Sequence, residues 1–260
     1  MRNFLRRSPL VAALALAAAA FTAAPALALA SDDDTPGASP AGLDQEVTLS
    51  SKAANNRKPT PPPGDRESKT DVCGPPYVLG NKSLGPELLP TRGPLGEIVR
   101  GYTLYGGLPP TEFLDRYFNE KTDFYNYPPD FGFAHPEGFG NAKPIVYTKL
   151  LPVGYKVDRF GGESGAFLSP LGTPYAQRAL PPSNLNTFSG DLAHKCNYHA
   201  YKVIRAFRVD AGPIAPAFQQ PGEGLQLHTL AKYIPGAPAN DQGEVSVGWL
   251  ADNGYLARLS

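Results

Sequence analysis

The sequence predicts an α+β fold with a β-rich, twisted-sheet core, a few short helices and a small N-terminal accessory region of helices and loops. Three observations support this prediction. Apolar and polar residues alternate with the period of a β-strand in several segments of the second half. Helical spacing occurs only in short segments. No internal repeat is present, so one layered domain is favoured over a solenoid or an array.

Residues 1–30 have the pattern of a secretory signal peptide. Arginines near the start precede an alanine- and leucine-rich run, and Ala28, Leu29 and Ala30 fit a small-residue cleavage site. We therefore predict a secreted, extracellular protein, with general and twin-arginine export both open. A membrane anchor is the alternative, but the run falls short of the roughly 20 strongly apolar residues that a membrane span needs.

Residues 31–71 predict a disordered linker. They contain no aromatic residue and are rich in polar residues and proline, so they lack the apolar surface that would offset the entropy of ordering. The whole chain has 24 Lys+Arg and 24 Asp+Glu. Removing the arginines of the leader leaves the mature chain slightly acidic, which gives no electrostatic case for nucleic-acid binding. After leader cleavage we expect no membrane attachment.

Cys73 and Cys196 are the two cysteines of the chain. In an exported protein an even count favours one disulfide. The chain-entropy model assigns a bridge that closes a loop of this length a stabilisation of about 4–5 kcal/mol. Two free buried thiols are the alternative. Because the sequence has neither a CxxC pair nor an HExxH motif, it predicts no metal site.

The accessory region, residues 72–145, begins where aromatic residues first appear after the leader. Residues 95–104 predict one short helix. Residues 111–118 predict another, because apolar residues recur at helical spacing behind a proline pair. Residues 125–139 predict an ordered aromatic loop, which either packs under the second half or contributes to a dimer surface.

The second region, residues 146–260, carries the predicted sheet. Strands are predicted over residues 153–158, 199–207 and 225–233 from their period-2 alternation. A short helix over residues 247–253 is predicted from Ser246, which can cap its start, and from the glycine that follows its end. Residues 158–186 are rich in proline, glycine and aromatic residues and predict a largely irregular segment that serves as a ligand wall.

Two arginines in this wall are the first candidate site residues. Period-2 counting puts Arg159 on the apolar face of its strand, where an unpaired charge would be costly. It must therefore pair with Asp158 or Glu163, or line a polar cleft. Arg178 lies between rigid proline-rich flanks, which suits a guanidinium that grips a phosphate or a carboxylate. An ordinary surface arginine is the alternative for Arg178.

Three further residues are weaker candidates on pattern alone. Phe167 can be a core residue or a stacking platform. His199 heads a strand, where a hydrogen-bonded structural histidine is more common than a catalytic one. Gln226 lies on the polar face of its strand and can reach a cleft or face water. The sequence has no phosphate loop, GxGxxG, HExxH or GxSxG motif.

Five motifs in a fixed order carry a family resemblance: DRFG at residues 158–161, GTPY at 172–175, RALPPSNLN at 178–186, YHAY at 198–201 and AGPIAP at 211–216. They resemble the tuberculosis necrotizing toxin (TNT) domain, a family of NAD glycohydrolases, over about residues 150–256. LGP at residues 84–86 and YPP at 127–129 resemble the N-terminal region of secreted fungal surface NADases, which pair this domain with a dimerising thumb.

The resemblance implies a secreted NAD(P)+ glycohydrolase that forms a homodimer and needs no cofactor, because NAD is the substrate. It implies that Gln226 and Arg159 are catalytic, with Arg159 and Arg178 holding the phosphates of the dinucleotide. It further implies that Phe167 stacks on the substrate and that His199 lies at the edge of the site. A structural calcium ion, conceivable from the fungal relatives, is not readable from this sequence.

The segment of residues 215–227 departs from the family pattern. Ala217 stands in place of a tryptophan, Gln219 and Glu223 in place of glycines, and Leu227 in place of a tyrosine. Glu223 and the neighbouring Phe218 are auxiliary candidates.

Two other functions stay open at this point. An ADP-ribosyltransferase breaks the same bond and usually carries a catalytic glutamate, for which Glu223 is the candidate. A non-catalytic secreted module that binds a nucleotide or a wall fragment is the second alternative.

Overall fold

An antiparallel sheet of seven strands lies at the centre of the structure, a computed structural model that describes residues 71–139 and 142–259. The predicted signal peptide and all but the last residue of the predicted linker lie outside the described residues. The strands are β1 (Phe118–Asn119), β2 (Phe124–Tyr125), β3 (Tyr147–Leu151), β4 (Lys156–Phe160), β5 (Phe167–Pro170), β6 (Tyr198–Val203), β7 (Phe207–Pro213), β8 (Leu225–His228) and β9 (Leu256–Arg258).

The large sheet has the order β3-β7-β8-β5-β4-β6-β9, and β1 and β2 form a separate two-stranded pair. The three α-helices of the described residues are short: α1 (Gly93–Ile98), α2 (Pro110–Tyr117) and α3 (Val247–Asp252). Single turns of 3-10 helix, among them Tyr175–Arg178 and Pro182–Leu185, connect the rest. This architecture confirms the predicted α+β, β-rich class. Within the described part of the chain, no helix is both long enough and apolar enough to cross a membrane.

The predicted helices are present with shifted ends. α2 starts at Pro110 and buries Phe113, as its spacing predicts. α3 is capped as expected, because the Ser246 hydroxyl accepts a hydrogen bond of 3.2 Å from the Trp249 backbone N–H. The predicted helix at residues 95–104 is wrong in its second half. α1 starts at Gly93 and ends at Ile98, and the chain then turns through Gly101, whose φ is +73°.

The predicted strands need three corrections. Residues 199–207 are two strands, because β6 ends at Val203 and the turn at residues 204–206 bonds to the Tyr255 carbonyl before β7 begins. Alternation continued across this tight turn, which is why one strand was predicted. The predicted strand 225–233 ends at His228 and is followed by a 3-10 turn. The strand predicted at 153–158 begins at Lys156 and runs to Phe160.

The segment of residues 158–186 is also more regular than predicted. It contains β5, a central strand whose Leu168 pairs with Leu227 of β8 and is buried in the core. Its flanking glycines and prolines concealed this strand in the sequence. β3 was not predicted either, because it is an edge strand whose side chains are mostly exposed and show no alternation.

The main apolar core lies between the sheet and the C-terminal part of the chain. It joins residues of β4, β6, β7 and β8 to α3. Its members are fully or almost fully buried and include Val157, Tyr201, Val209, Leu227, Val245 and Leu250.

The accessory region packs against the other residues in two further clusters. In the first, Ile98 and Val99 lie with Phe160 and Tyr175. In the second, aromatic residues of the accessory region surround Phe218. In the predicted loop of residues 125–139, Tyr125 and Phe133 are buried, whereas Tyr127, Phe131 and Phe139 are exposed. Packing under the second half therefore accounts for only part of this loop.

The predicted disulfide joins Cys73 to Cys196 across a sequence separation of 123 residues. Both cysteines are fully buried in the first of these two clusters. The bridge therefore ties the start of the accessory region to the base of β6.

Candidate functional site

Two adjoining cavities of about 330 and 610 Å³ open beside β4, β5 and β8. The accessory region closes them on one side. Together they have the dimensions of a small-molecule or cofactor pocket. The side chains that line both cavities are Tyr127, Phe167, Arg178, Leu180, Ile214 and Gln226. Arg159 and Asn184 line the smaller cavity.

Arg159 has no carboxylate partner among the described residues. Its Nε donates to the Gly161 carbonyl at 3.0 Å and its Nη1 to the Phe167 carbonyl at 3.3 Å. Desolvation by burial lowers the pKa of its guanidinium, an effect that Tyr201 and Glu163 oppose. Among the described residues, the hydrogen-bond partners of the Arg159 guanidinium are therefore neutral carbonyl groups. An anion bound in the cavity would offset the cost of desolvating this positive charge.

Both acidic partners considered for Arg159 are engaged elsewhere. Glu163 accepts from Arg258, with Nη2 and Oε2 2.6 Å apart, and from the Tyr201 hydroxyl at 2.8 Å. The hydrogen bond from Arg258 is the largest cause that lowers the pKa of the Glu163 carboxyl. Asp158 pairs with Arg178. Of the two possibilities derived from the sequence, Arg159 therefore follows the second and lines a polar cleft.

Glycine makes room for the Arg159 guanidinium. A Cβ added at Gly165 would lie 2.3 Å from Nη2 of Arg159, and one at Gly161 would lie 3.3 Å from the same atom. Gly161 also has a φ of +118°, which other residues rarely adopt. These two glycines between β4 and β5 therefore leave the space that the arginine side chain occupies.

Arg178 is a buried residue and not a surface arginine. Its Nη2 donates to Asp158 Oδ1 at 2.6 Å, and its Nε donates to the Thr173 carbonyl at 2.9 Å. Asp158 is fully buried and accepts two more hydrogen bonds, from the Gly172 N–H at 2.8 Å and the Tyr198 hydroxyl at 2.9 Å. This network fixes the guanidinium plane of Arg178 against the cavity.

Gln226 presents its amide to the cavity in one orientation. Its Nε2 donates to the Phe131 carbonyl at 2.8 Å. A carbonyl oxygen can only accept, so the atom that faces Phe131 must be the NH₂ group. The amide oxygen therefore points away from Phe131 and is available as an acceptor in the cavity.

Phe167 lies at the junction of the two cavities, at the first position of β5. One face of its ring stacks on His228, with centroids 4.5 Å apart and an interplanar angle of 19°. His228 is buried and its Nε2 lies 2.7 Å from Glu244 Oε1. The ring of Phe167 is thus supported from behind, as a stacking platform requires.

With this geometry in place, known proteins provide the comparison. The sequence profile described as "Tuberculosis necrotizing toxin" matches residues 150–259. Conidial surface nicotinamide adenine dinucleotide glycohydrolase nadA of Aspergillus fumigatus is 45% identical over 185 residues, which cover 70% of this chain and 71% of that protein. The chain belongs to the TNT family.

Among solved structures, that of tuberculosis necrotizing toxin in complex with its immunity factor matches 57% of this chain and 70% of its own. The identity is 22% and the TM-score is 0.40. The family membership predicted from the five ordered motifs is confirmed by the profile match and by the fungal relative.

The turn that departs from the TNT pattern keeps a left-handed backbone at the substituted glycine positions. Gln219 has a φ of 59° and Glu223 a φ of 68°. Non-glycine residues in this region cost about 1 kcal/mol or more each. The retained Gly222 packs tightly, because an added Cβ would lie 2.6 Å from the carbonyl oxygens of Ile214 and Ala215. The turn therefore holds non-glycine residues at strained backbone positions.

Three of the sequence-predicted residues lie outside the two cavities. His199 is buried on β6 and its ring stacks on His194. Glu223 is exposed on the turn. Phe218 is buried in the aromatic cluster of the accessory region and is 5.5 Å from Tyr125, centroid to centroid. The cavities therefore bring together Arg159, Phe167, Arg178 and Gln226.

Sequence reasoning missed the contribution of the accessory loop and of two polar residues. Tyr127 and Phe131 line the larger cavity, and the Phe131 carbonyl orients Gln226. Asn184 lines the smaller cavity and donates to the Phe160 carbonyl at 3.4 Å. The motifs YPP at residues 127–129 and PPSNLN at 181–186 were the sequence signals that could have pointed to Tyr127 and Asn184. Asp158 was considered only as a partner of Arg159.

Because His228 is buried, we expect the free energy of unfolding to fall in mild acid. Burial lowers the pKa of His228 below its usual 6.5, although Glu244 opposes this shift. Below about pH 6.5 the unfolded chain takes up a proton that the folded protein does not yet bind, so folding is progressively weakened down to the lowered folded pKa. Melting temperatures at about pH 7.5 and 5.5 measure this effect. His228→Gln should reduce the difference, and an unchanged difference would exclude His228 as its source.

Proposed function

We propose that this protein is a secreted NAD(P)+ glycohydrolase, which hydrolyses NAD+ to ADP-ribose and nicotinamide. The observation that carries the proposal is a cavity lined by the fixed Gln226 amide and by Arg159, which has no acidic partner in the part of the chain that the structure describes. Membership in the TNT family and likeness to a fungal NAD glycohydrolase support the same activity.

The pyrophosphate of the dinucleotide is the anion that fits this cavity. Arg159 Nη2 has no hydrogen-bond acceptor among the described residues, and neither has Nη1 of Arg178. Both guanidinium groups line the smaller cavity. Guanidinium groups bind phosphate oxygens through short, charge-assisted hydrogen bonds. Arg159 thereby gains a counter-charge that the described residues do not supply.

Gln226 acts on the ribose that carries nicotinamide. Cleavage of the N-glycosidic bond develops positive charge on the ribose ring, and water adds to the sugar carbon as nicotinamide leaves. Nicotinamide leaves as a neutral molecule, so no general acid is required. The amide oxygen of Gln226 is the negative end of a fixed dipole that stabilises the oxocarbenium-like transition state. Because the amide is already oriented, it does not have to reorganise during the reaction.

Phe167 and Ala217 define the space for the rings of the substrate. Phe167 offers a face supported by His228, on which a flat ring can stack. Ala217 lines the larger cavity, where the family carries a tryptophan. The smaller side chain leaves extra volume at this end, which favours tolerance of modified nicotinamide rings.

Two alternatives receive less support. A transferase would use a glutamate near the ribose, but the candidate Glu223 is exposed and lines neither cavity. A non-catalytic module would not need the oriented Gln226 amide. The secreted location follows from the signal-peptide pattern, with the surface location named for the fungal relative in support. The homodimer stays a prediction of the resemblance.

An etheno-NAD assay tests the proposal. Hydrolysis by the purified protein should raise the fluorescence and release free ADP-ribose and nicotinamide in equal amounts. If the label is transferred only when an acceptor protein is present, the transferase alternative is correct. If neither product forms at micromolar enzyme, both enzymatic functions are wrong.

A further inference from the structure

A cluster of metal-binding side chains lies outside the two cavities, in the loop before β6. Asp191, His194 and His199 each offer one ligand atom, and these three atoms lie within 4.8 Å of one another. Asp191 Oδ2 is 2.6 Å from Nδ1 of His194. The His194 and His199 rings stack with centroids 4.2 Å apart and an interplanar angle of 25°.

The ligand types determine which ions can bind. Two imidazoles and one carboxylate suit zinc, copper, nickel and cobalt, whereas calcium prefers a shell of oxygen atoms. Three protein ligands leave a coordination position for water. The set therefore selects a divalent transition metal and disfavours calcium.

The local fold holds the cluster in place. His199 is buried on β6, opposite Arg159 of β4 in the sheet register. Cys196 anchors the loop through its disulfide to Cys73. His194 is the more exposed ring, with 24% of its side-chain area accessible, so it can rotate to complete the coordination.

We propose that Asp191, His194 and His199 form a binding site for a divalent transition-metal ion, with zinc as the best match. This proposal differs from the sequence-based prediction of no metal site, which rested on the absence of a CxxC pair and of an HExxH motif. It does not depend on the proposed hydrolase activity, because its ligands line neither cavity.

Titration of tag-free, metal-stripped protein with cobalt(II) tests the site directly. We expect saturable visible absorption bands that zinc displaces and equimolar calcium does not. Zinc at a hundredfold excess over its Kd should raise the melting temperature by about 5–10 °C. Displacement by calcium at equal concentration, or no saturable cobalt spectrum, would overturn the proposal.

Variants distinguish this cluster from other histidines. His194→Ala should abolish the cobalt spectrum, and Asp191→Asn should weaken binding by about 10–100-fold. Both residues are partly exposed, so both variants are expected to fold. His135→Ala is the matched control, because His135 also lies beside a carboxylate, 3.0 Å from Asp130, but outside the cluster. Binding that survives His194→Ala, or that is lost equally in His135→Ala, contradicts the assignment.

Discussion

Gln226→Ala should lower kcat by about 10²–10³-fold, the range found when one fixed dipole at a developing charge is removed. The expected effect on stability is small, because Gln226 is only partly buried and its side chain makes one hydrogen bond, to the Phe131 carbonyl. KM should change less than kcat, since the amide acts on charge that develops in the transition state. Steady-state kinetics with etheno-NAD, together with a melting curve, measure both quantities.

Gln177→Ala is the matched control for this prediction. Gln177 is exposed and lines neither cavity, so its variant should keep normal kinetics. Gln226→Glu provides a further comparison, because a carboxylate would bring a full charge where the amide brings a dipole. A Gln226→Ala enzyme within a factor of a few of the unmodified rate would remove Gln226 from the mechanism.

Substitution of the two cavity arginines should have different effects on the stability of the fold. Arg159→Ala is expected to lower kcat/KM by about 30-fold or more, the effect of losing a buried charged contact to a ligand. Its stability should hold or rise, because no carboxylate loses a partner. Arg178→Ala should instead destabilise the fold by about 3–5 kcal/mol, since it leaves the fully buried Asp158 carboxylate without its countercharge.

Melting curves and kinetics on the same preparations separate the two cases. Arg178→Ala should lower the melting temperature by about 6–20 °C. Arg208→Ala, which changes an exposed arginine on β7, is the control for loss of one positive charge. If Arg159→Ala retains full kcat/KM but melts as early as Arg178→Ala, then Arg159 is a structural residue and its assignment to the pyrophosphate is wrong.

The substitutions in the turn at residues 217–227 affect the stability of the turn itself more than they affect the positions of Arg159 and Arg178. Gln219 and Glu223 occupy left-handed positions where the TNT pattern has glycine, yet the turn still leads into β8 with Gln226 facing the cavity. The strain is therefore local, and β8 is held in register by the pairing of Gln226 with Gly212.

The sequence alone determined the fold class, the disulfide and the family. These depend on local information: alternation, capping, cysteine count and ordered motifs such as DRFG at residues 158–161. It also named Arg159 and Arg178, which the motifs DRFG and RALPPSNLN contain, and Phe167 and Gln226, which lie outside the five motifs and were singled out by position in the family resemblance. It did not resolve β3, whose exposed side chains show no alternation, and it did not resolve the break between β6 and β7, because alternation continues across the tight turn.

Only the tertiary structure decided which groups interact. Asp158 and Arg159 are neighbours in sequence, but successive side chains of a strand point to opposite faces. Asp158 therefore meets Arg178, 20 residues away, and Arg159 lines the cavity with no carboxylate partner among the described residues. Likewise, the orientation of the Gln226 amide depends on Phe131, 95 residues earlier. Such contacts arise from the packing of distant segments, which no local pattern encodes.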